Sequence, residues 1–87
     1  MRKQYTEVLK IFFHKKLYAR RKALGISQEE MAERLSMGCR GYARLDQGQM
    51  CCSALTLGLF LIYICEDPLT FLKELRYALE NCDKEAA

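Results

Sequence analysis

The sequence predicts an all-α fold of five helices in a single domain spanning residues 1–87. Apolar residues make up 51% of the chain and recur at helical spacing, which indicates a packed globule rather than a disordered chain. The single proline suits a helical chain. Ser27, Ser53 and Asp67 each precede an apolar segment, where a side-chain oxygen would cap the first turn of a helix.

The first helix is predicted over residues 6–23, after a short flexible arm at residues 1–5. Its apolar positions include the adjacent aromatic residues Phe12 and Phe13, which need burial. Both belong to an N-terminal extension, residues 1–13, that either folds back on the domain or contributes to a dimer contact. The sequence is compatible with both arrangements.

Two short helices are predicted next. Ser27 and Glu30 form a capping box at the start of the first one, and residues 36–38 interrupt the pattern with a tight turn. Gly48 stands where a left-handed residue would end the second helix. One apolar face continues through both helices at Met31, Ala32, Leu35, Tyr42 and Leu45. Two short helices joined in this way form a helix-turn-helix, whose second helix can enter the DNA major groove.

The fourth helix is predicted over residues 54–64 and is apolar on nearly every side. Such a helix should be buried all round. It is too short to span a membrane, since a span needs about 20 apolar residues. No membrane association is therefore expected.

The fifth helix should begin at Asp67 and Pro68, because a proline at the first helical position lacks only an N–H that would be unpaired there. A leucine stripe is predicted as its buried face, at Leu69, Leu72, Leu75 and Leu79. The polar tail, residues 81–87, is expected to fray. The fourth and fifth helices together carry an excess of apolar surface, which favours a homodimer through these C-terminal helices.

The net charge of +3 is too small to identify a nucleic-acid-binding protein, but its distribution is uneven. Residues 1–25 carry eight basic side chains and one acidic, a net charge of +7, whereas residues 26–48 carry −1 and residues 49–87 carry −3. A basic front and an acidic rear suggest that one face turns toward a polyanion. The alternative is that these basic residues only keep an amphipathic helix soluble.

The five cysteines are predicted to be reduced thiols in a cytoplasmic protein, because their number is odd and no signal peptide precedes the domain. No Cys-x-x-Cys pair is present and His14 is the one histidine, so neither a metal site nor a cofactor is expected. A redox- or metal-sensing role stays open for Cys39, Cys51 and Cys52. Without a carboxylate pair or a glycine-rich loop to build a catalytic site, the protein is not expected to be an enzyme.

Residues 17–64 resemble the Cro/CI (XRE) family of lambda-repressor-like DNA-binding domains. The matching residues are Leu17, Arg21, Gly25 to Ala32, Leu35, Leu45, Asp46, Gly48, Ser53 to Leu55 and Leu57. The resemblance implies a five-helix lambda-repressor-like bundle with a helix-turn-helix, in which residues 14–64 form the core motif and residues 65–87 the C-terminal helix and tail. It also implies a sequence-specific transcriptional regulator that binds double-stranded DNA, as a dimer on a palindromic site.

The resemblance assigns roles to residues around the helix-turn-helix. An arginine at the position of Arg21 pairs with an acid at the end of the recognition helix, here Asp46, and clamps the first helix to the third. Gln28 would donate to a phosphate at the start of the second helix, where backbone N–H groups also favour an anion. The loop that contains Gln47 and Gln49 would contact the phosphate backbone on the other side of the major groove.

The recognition helix would present Cys39, Arg40 and Arg44 on its exposed face. Arg40 and Arg44 are four residues apart and therefore share a face. Arg40 is predicted to read a base edge, because arginine can bind guanine through two hydrogen bonds. For Arg44, a base edge and a phosphate are both open.

Five residues depart from the family pattern. Cys39, Gly41 and Ala43 stand at exposed positions of the recognition helix, where relatives usually carry polar side chains. Ser36 stands where glycine is usual, in a turn that needs positive φ. Gly41 lies inside the recognition helix, where it would allow close approach of another backbone or of DNA. Tyr42 is larger than the usual Val or Ile and must enlarge the core or extend its hydroxyl to water or phosphate. This weak reading surface favours an alternative function, an antitoxin-like or adaptor module that binds a protein through its apolar rear helices.

Overall fold

The computed structural model describes residues 2–86, with the side chains of residues 3–82, and this part of the chain forms five helices and no strand. The helices are α1 (Arg2–Leu24), α2 (Gln28–Arg34), α3 (Cys39–Asp46), α4 (Ala54–Leu59, continued by a π-helical turn Phe60–Ile64) and α5 (Pro68–Ala86). The predicted all-α fold of five helices is confirmed.

The predicted helix caps are present. The side chains of Ser27, Ser53 and Asp67 each accept a hydrogen bond from the backbone N–H three residues further on. The capping box is only half formed, because the carboxylate of Glu30 pairs with Arg34 at 3.2 Å, one turn further along α2. Side-chain caps therefore fix where α2, α4 and α5 begin.

Two predicted helix ends are wrong. α1 includes residues 2–5, which were expected to form a flexible arm, and α5 includes residues 81–86, which were expected to fray. Neither segment contains glycine or proline, and each extends a helix that is already packed on the domain. Met1 and Ala87 lie outside the described residues.

One hydrophobic core joins all the helices. Its buried apolar residues are Phe13 and Leu17 of α1, Met31, Ala32 and Leu35 of α2 and its C-cap, Tyr42 and Leu45 of α3, Phe60 and Ile64 of the π-helical turn, and Phe71 of α5. The five residues predicted as the apolar face of α2 and α3 are all in this core.

The N-terminal extension folds back on the domain as part of α1. Phe13 is buried, and its ring contacts those of Phe60 and Phe71 edge-on, with centroids 5.1 and 6.3 Å away. Phe12 contacts Phe71 in the same way at 5.2 Å. Edge-to-face aromatic pairs add stabilisation beyond the area that they bury. Of the two arrangements considered for these aromatics, the structure has the intramolecular one.

The buried face of α5 is not the predicted leucine stripe. Phe71 is 3% exposed, whereas Leu69 is 71% exposed and Leu72 46%. Leu69 lies two residues from Phe71, so the two side chains point to opposite sides of the helix. The aromatic contacts of Phe71 thus set the rotation of α5, and Leu75 and Leu79 of the stripe are only partly buried.

The fourth helix is not buried on all sides, contrary to the prediction. Phe60 and Ile64 enter the core, but Leu55, Ile62 and Tyr63 are exposed. The physical reason is that α5 packs along α1 and does not wrap around α4. Apolar surface on α4 and α5 is therefore left uncovered by the domain itself.

α1, α2 and α3 all end in the same hydrogen-bonded turn, the Schellman motif. In each turn a residue with positive φ donates its N–H to the carbonyl three residues earlier, and the next residue donates to the carbonyl five residues before it. The positive-φ residues are Gly25 at 66°, Ser36 at 55° and Gly48 at 73°. The predictions of a left-handed residue at Gly48 and of positive φ at Ser36 are confirmed.

Ser36→Gly should stabilise the protein by about 0.5–1 kcal/mol, because an L residue in the left-handed region costs roughly 1–2 kcal/mol, partly offset by the larger unfolded-state entropy of glycine. Urea unfolding measures the change as a higher midpoint at constant slope. Ser36→Ala is the matched control, since it keeps the Cβ atom. A glycine variant no more stable than the alanine variant would show that Ser36 is unstrained.

Candidate functional site

α1, α2 and α3 meet at the carboxylate of Asp46, which is 5% exposed at the end of α3. Its Oδ1 accepts a hydrogen bond from the Tyr42 hydroxyl at 3.0 Å, and its Oδ2 accepts one from Gln28 Nε2 at 2.9 Å. The Nε atom of Arg21 lies 3.6 Å from Oδ1. We refer to these four residues as the Asp46 cluster. A buried carboxylate needs such partners, because an unpaired charge away from water is costly.

Arg21 and Asp46, the two residues expected to clamp α1 to α3, are brought together in this cluster. Their separation of 3.6 Å is within the range of an ion pair but longer than an ordinary hydrogen bond. The guanidinium also donates from Nη1 to the Ile26 carbonyl at 3.5 Å. Its Nε is buried and has no hydrogen-bond partner among the described residues, so charge and packing hold this pair more than a direct hydrogen bond does.

Tyr42 enlarges the core, which was one of the alternatives left open for it. Its side chain is fully buried, and its hydroxyl reaches Asp46 instead of water or phosphate. Burial raises the pKa of Tyr42, and the hydrogen bond to Asp46 and the charge of that carboxylate raise it further. The hydroxyl therefore stays protonated near neutral pH and remains a donor to Asp46.

Gln28 takes part in the cluster, a role that the sequence did not suggest. It was expected to donate to a phosphate, but its amide nitrogen donates to Asp46, 18 residues away in sequence. That nitrogen has two hydrogens, so one remains for an external acceptor. The residue is exposed, which is compatible with such a contact. No local pattern in the sequence signals the tertiary hydrogen bond.

His14 is a second residue whose position the sequence reasoning missed. Its Nδ1 donates to the backbone carbonyl of Asp46, and its ring lies beside Gly48. One signal was available, because His14 precedes Arg21 by seven residues, or two helical turns, and so lies on the same face of α1.

The outer face of α3 carries two arginines without partners. Arg40 and Arg44 are exposed, and their guanidinium groups form no ion pair or hydrogen bond with any described side chain. Cys39 is exposed beside them. Gln47 and Gln49 are exposed after the end of α3 and bond to each other, Nε2 of Gln49 donating to Oε1 of Gln47 at 2.8 Å. The candidate residues of α3 and of the loop that follows it are thus all exposed.

Gly41 has no neighbour that excludes a side chain. A Cβ atom built there would meet only the terminal methyl of Met37, at 3.5 Å, which is ordinary van der Waals contact. Within the described part of the protein, no other backbone approaches Gly41 closely, so this first reason for a glycine does not apply. Approach to DNA stays a prediction.

Half of the eight basic side chains of α1 are paired within the protein. Four of its cations lie within ion-pair distance of carboxylates, in the pairs Lys10–Glu7, Lys16–Glu74, Arg20–Glu66 and Arg21–Asp46. Lys3, Lys15 and Lys22 have no such partner among the described side chains. The net charge of +7 counted over residues 1–25 therefore overstates the charge that α1 offers to an external polyanion.

The cysteines show no metal-binding arrangement. Within residues 3–82 no group of three or more His, Cys, Asp or Glu side chains is placed to hold a metal ion. Cys39 is exposed and Cys51 is partly buried. Burial raises the pKa of Cys52 to about 11, so this thiol is protonated and weakly nucleophilic near neutral pH.

No family model matches the chain, and no curated protein or solved structure matches it either. In the described part of the chain, no helix is both long enough and apolar enough to cross a membrane. The function therefore has to be inferred from the residues of this chain.

Proposed function

We propose that the protein is a sequence-specific DNA-binding transcriptional regulator with a lambda-repressor-like helix-turn-helix, formed by α2 and α3. The observation that carries the proposal is the contrast between the two sides of α3. Its inner side ends in the buried Asp46 cluster, whereas Arg40 and Arg44 stand exposed and unpaired on its outer side. A rigid helix with free arginines one turn apart is suited to enter a major groove.

The arrangement of α2 and α3 supports this proposal. The helices have seven and eight residues, are joined through residues 35–38, and pack against each other, while α3 also packs against α1. The carboxylate of Asp46 is paired with Arg21 and buried, so it adds little repulsion toward a phosphate. α3 is thus a short helix that packs against α1 and α2 and is basic on its exposed side.

Each candidate residue then has a role in the proposed complex. Arg40 reads a base edge, and Arg44 contacts a base or a phosphate. Gln28 offers its second amide hydrogen to a phosphate while the first stays on Asp46. Gln47 and Gln49 contact the phosphate backbone on the other side of the groove. The exposed Cys39 lies at the N-terminal end of the face of α3 that meets the bases.

A salt titration of binding to a random-sequence duplex tests the proposal. The logarithm of the binding constant should fall with that of salt concentration by a slope of about −0.9 for each phosphate neutralised. Arg40→Ala should also relax base preference at one position, with a loss of about 1–3 kcal/mol on the preferred site. Arg76→Ala is the control, since it removes an exposed arginine that already pairs with Glu80. No binding at low salt would contradict the proposal.

A homodimer through the C-terminal helices is part of the proposal. The exposed large apolar residues of α4 with its π-helical turn and of α5 are Leu55, Ile62, Tyr63, Leu69, Leu72 and Tyr77. Large apolar side chains exposed on neighbouring helices are the kind of surface that protein–protein contacts use, and a two-fold dimer would place two reading helices about 34 Å apart on a palindromic site.

Sedimentation at micromolar concentration tests the dimer. The wild type should sediment as a dimer, and Ile62→Ser should shift it toward monomer because it removes apolar area from the contact. Lys73→Ser is the control, since it changes an exposed charged residue of α5 that has no ion-pair partner among the described side chains. A monomeric wild type would contradict the dimer.

A second candidate function is favoured by the same uncovered surface. The exposed apolar residues of α4 and α5 and the internal pairing of the cations on α1 fit a protein-interaction module, antitoxin-like or an adaptor, with little DNA binding. The salt titration separates the two functions, since a module of this kind would bind the duplex weakly or not at all at low salt.

A further inference from the structure

The C-terminal end of α3 is completed by a side chain from another helix. The last four carbonyls of a helix lack partners within it. Three of them accept backbone N–H groups of the following loop, in the bonds Gln47 to Ala43 at 3.0 Å, Gln49 to Arg44 at 2.8 Å and Gly48 to Leu45 at 3.1 Å. The fourth, the carbonyl of Asp46, accepts Nδ1 of His14. His14 of α1 therefore satisfies the one carbonyl that the loop leaves open.

The ring of His14 also contacts the loop itself. A Cβ atom at Gly48 would come within 3.3 Å of His14 Cγ, which is tighter than ordinary contact. Gly25 ends α1 in the same Schellman motif, yet a Cβ atom there would meet nothing within 4 Å. The end of α3 is thus docked on another helix, whereas the equivalent end of α1 is open.

We infer that His14 is a positioning residue for DNA binding, which fixes the end of α3 and the loop that follows it; this inference rests on the proposed function. The Asp46 cluster holds the last side chain of α3, and His14 holds its last carbonyl and the backbone of Gly48. Gln47 and Gln49 flank that glycine. The loop that carries the two glutamines is therefore held by a contact to α1 in addition to its own hydrogen bonds to α3.

Two substitutions separate the hydrogen bond of His14 from its ring. His14→Asn keeps an N–H donor at the same number of bonds from the backbone as Nδ1, whereas His14→Phe keeps a ring and loses the donor. On a random-sequence duplex at low salt, the Asn variant should bind within about twofold of wild type and the Phe variant about tenfold more weakly, because the released loop would have to become ordered on binding. The base preference that Arg40 confers should be unchanged in both.

A measurement on the free protein keeps the test independent of DNA. The backbone amide signals of residues 47–49 should broaden in the Phe variant and stay as sharp as in wild type in the Asn variant, in nuclear magnetic resonance spectra recorded well below the melting temperature. Should the Phe variant not fold, His14→Leu replaces it, since leucine also lacks a donor and is smaller.

The outcomes distinguish the two proposals. A wild type that does not bind DNA contradicts the proposed function, while the amide signals still test the anchoring of the loop by His14. A wild type that binds DNA, together with a folded Phe or Leu variant that binds equally well, overturns the positioning role even if the melting temperature has fallen. Signals at residues 47–49 that stay sharp in the donor-free variant overturn the anchoring itself.

Discussion

Asp46→Ala should destabilise the protein by about 3–5 kcal/mol, the usual cost of removing one partner of a buried ion pair. The substitution leaves the Arg21 guanidinium, the Tyr42 hydroxyl and the Gln28 amide without their common acceptor. An isolated domain of this size has a total stability of only about 4–13 kcal/mol, so the loss would be a large share of it. Urea unfolding followed by circular dichroism measures the loss.

Two control variants test the explanation for this loss. Asp46→Asn keeps an oxygen acceptor and the shape of the side chain but removes the charge, so its stability should lie between those of wild type and the alanine variant. Glu33→Ala removes an exposed carboxylate of α2, and its effect should stay within about 0.5 kcal/mol. If Asp46→Ala and Glu33→Ala were equally stable, the Asp46 cluster would not hold α1, α2 and α3 together.

Phe13→Ala should cost about 3–5 kcal/mol, as expected for truncating a fully buried phenylalanine. Its ring is 1% exposed and lies between Phe60 and Phe71, so the variant loses both edge-on contacts and leaves a cavity where α1, the π-helical turn and α5 meet. The urea midpoint should fall at nearly constant slope.

Ile11→Ala is the matched control for Phe13→Ala. Ile11 lies two residues away on the same helix but is 51% exposed, so its truncation should cost less than about 1 kcal/mol. Equal losses in the two variants would mean that the N-terminal half of α1 is not part of the core. A large difference would show that residues 1–13, predicted as an extension, are needed for the fold.

The sequence predicted the features that depend on neighbours along the chain. Side chains that cap helices at Ser27, Ser53 and Asp67, and the left-handed residue at Gly48, are local, because each acts within a few residues of itself. The helix count and the apolar face of α2 and α3 followed from the same local patterns.

The features that depend on tertiary contacts were not predictable in the same way. On α5, both the predicted leucine stripe and the side of the helix that carries Phe71 could have faced inward. The contacts of Phe71 with the rings of Phe13 and Phe60 decide between them. Lys16 pairs with Glu74, 58 residues away, so a count of charges along the chain cannot show that α1 is partly neutralised. The bonds of Gln28 and His14 to Asp46 likewise join separate helices.

Ser36 gives the joint between α2 and α3 a property that the other two Schellman turns lack. Among the described residues it is the one non-glycine at positive φ, so the native turn is held above its relaxed backbone energy. Opening this joint releases that energy, which makes local unfolding less costly there than at Gly25 or Gly48. The turn at Ser36 therefore lies at the N-terminal end of α3, at the opposite end of that helix from the contact with His14.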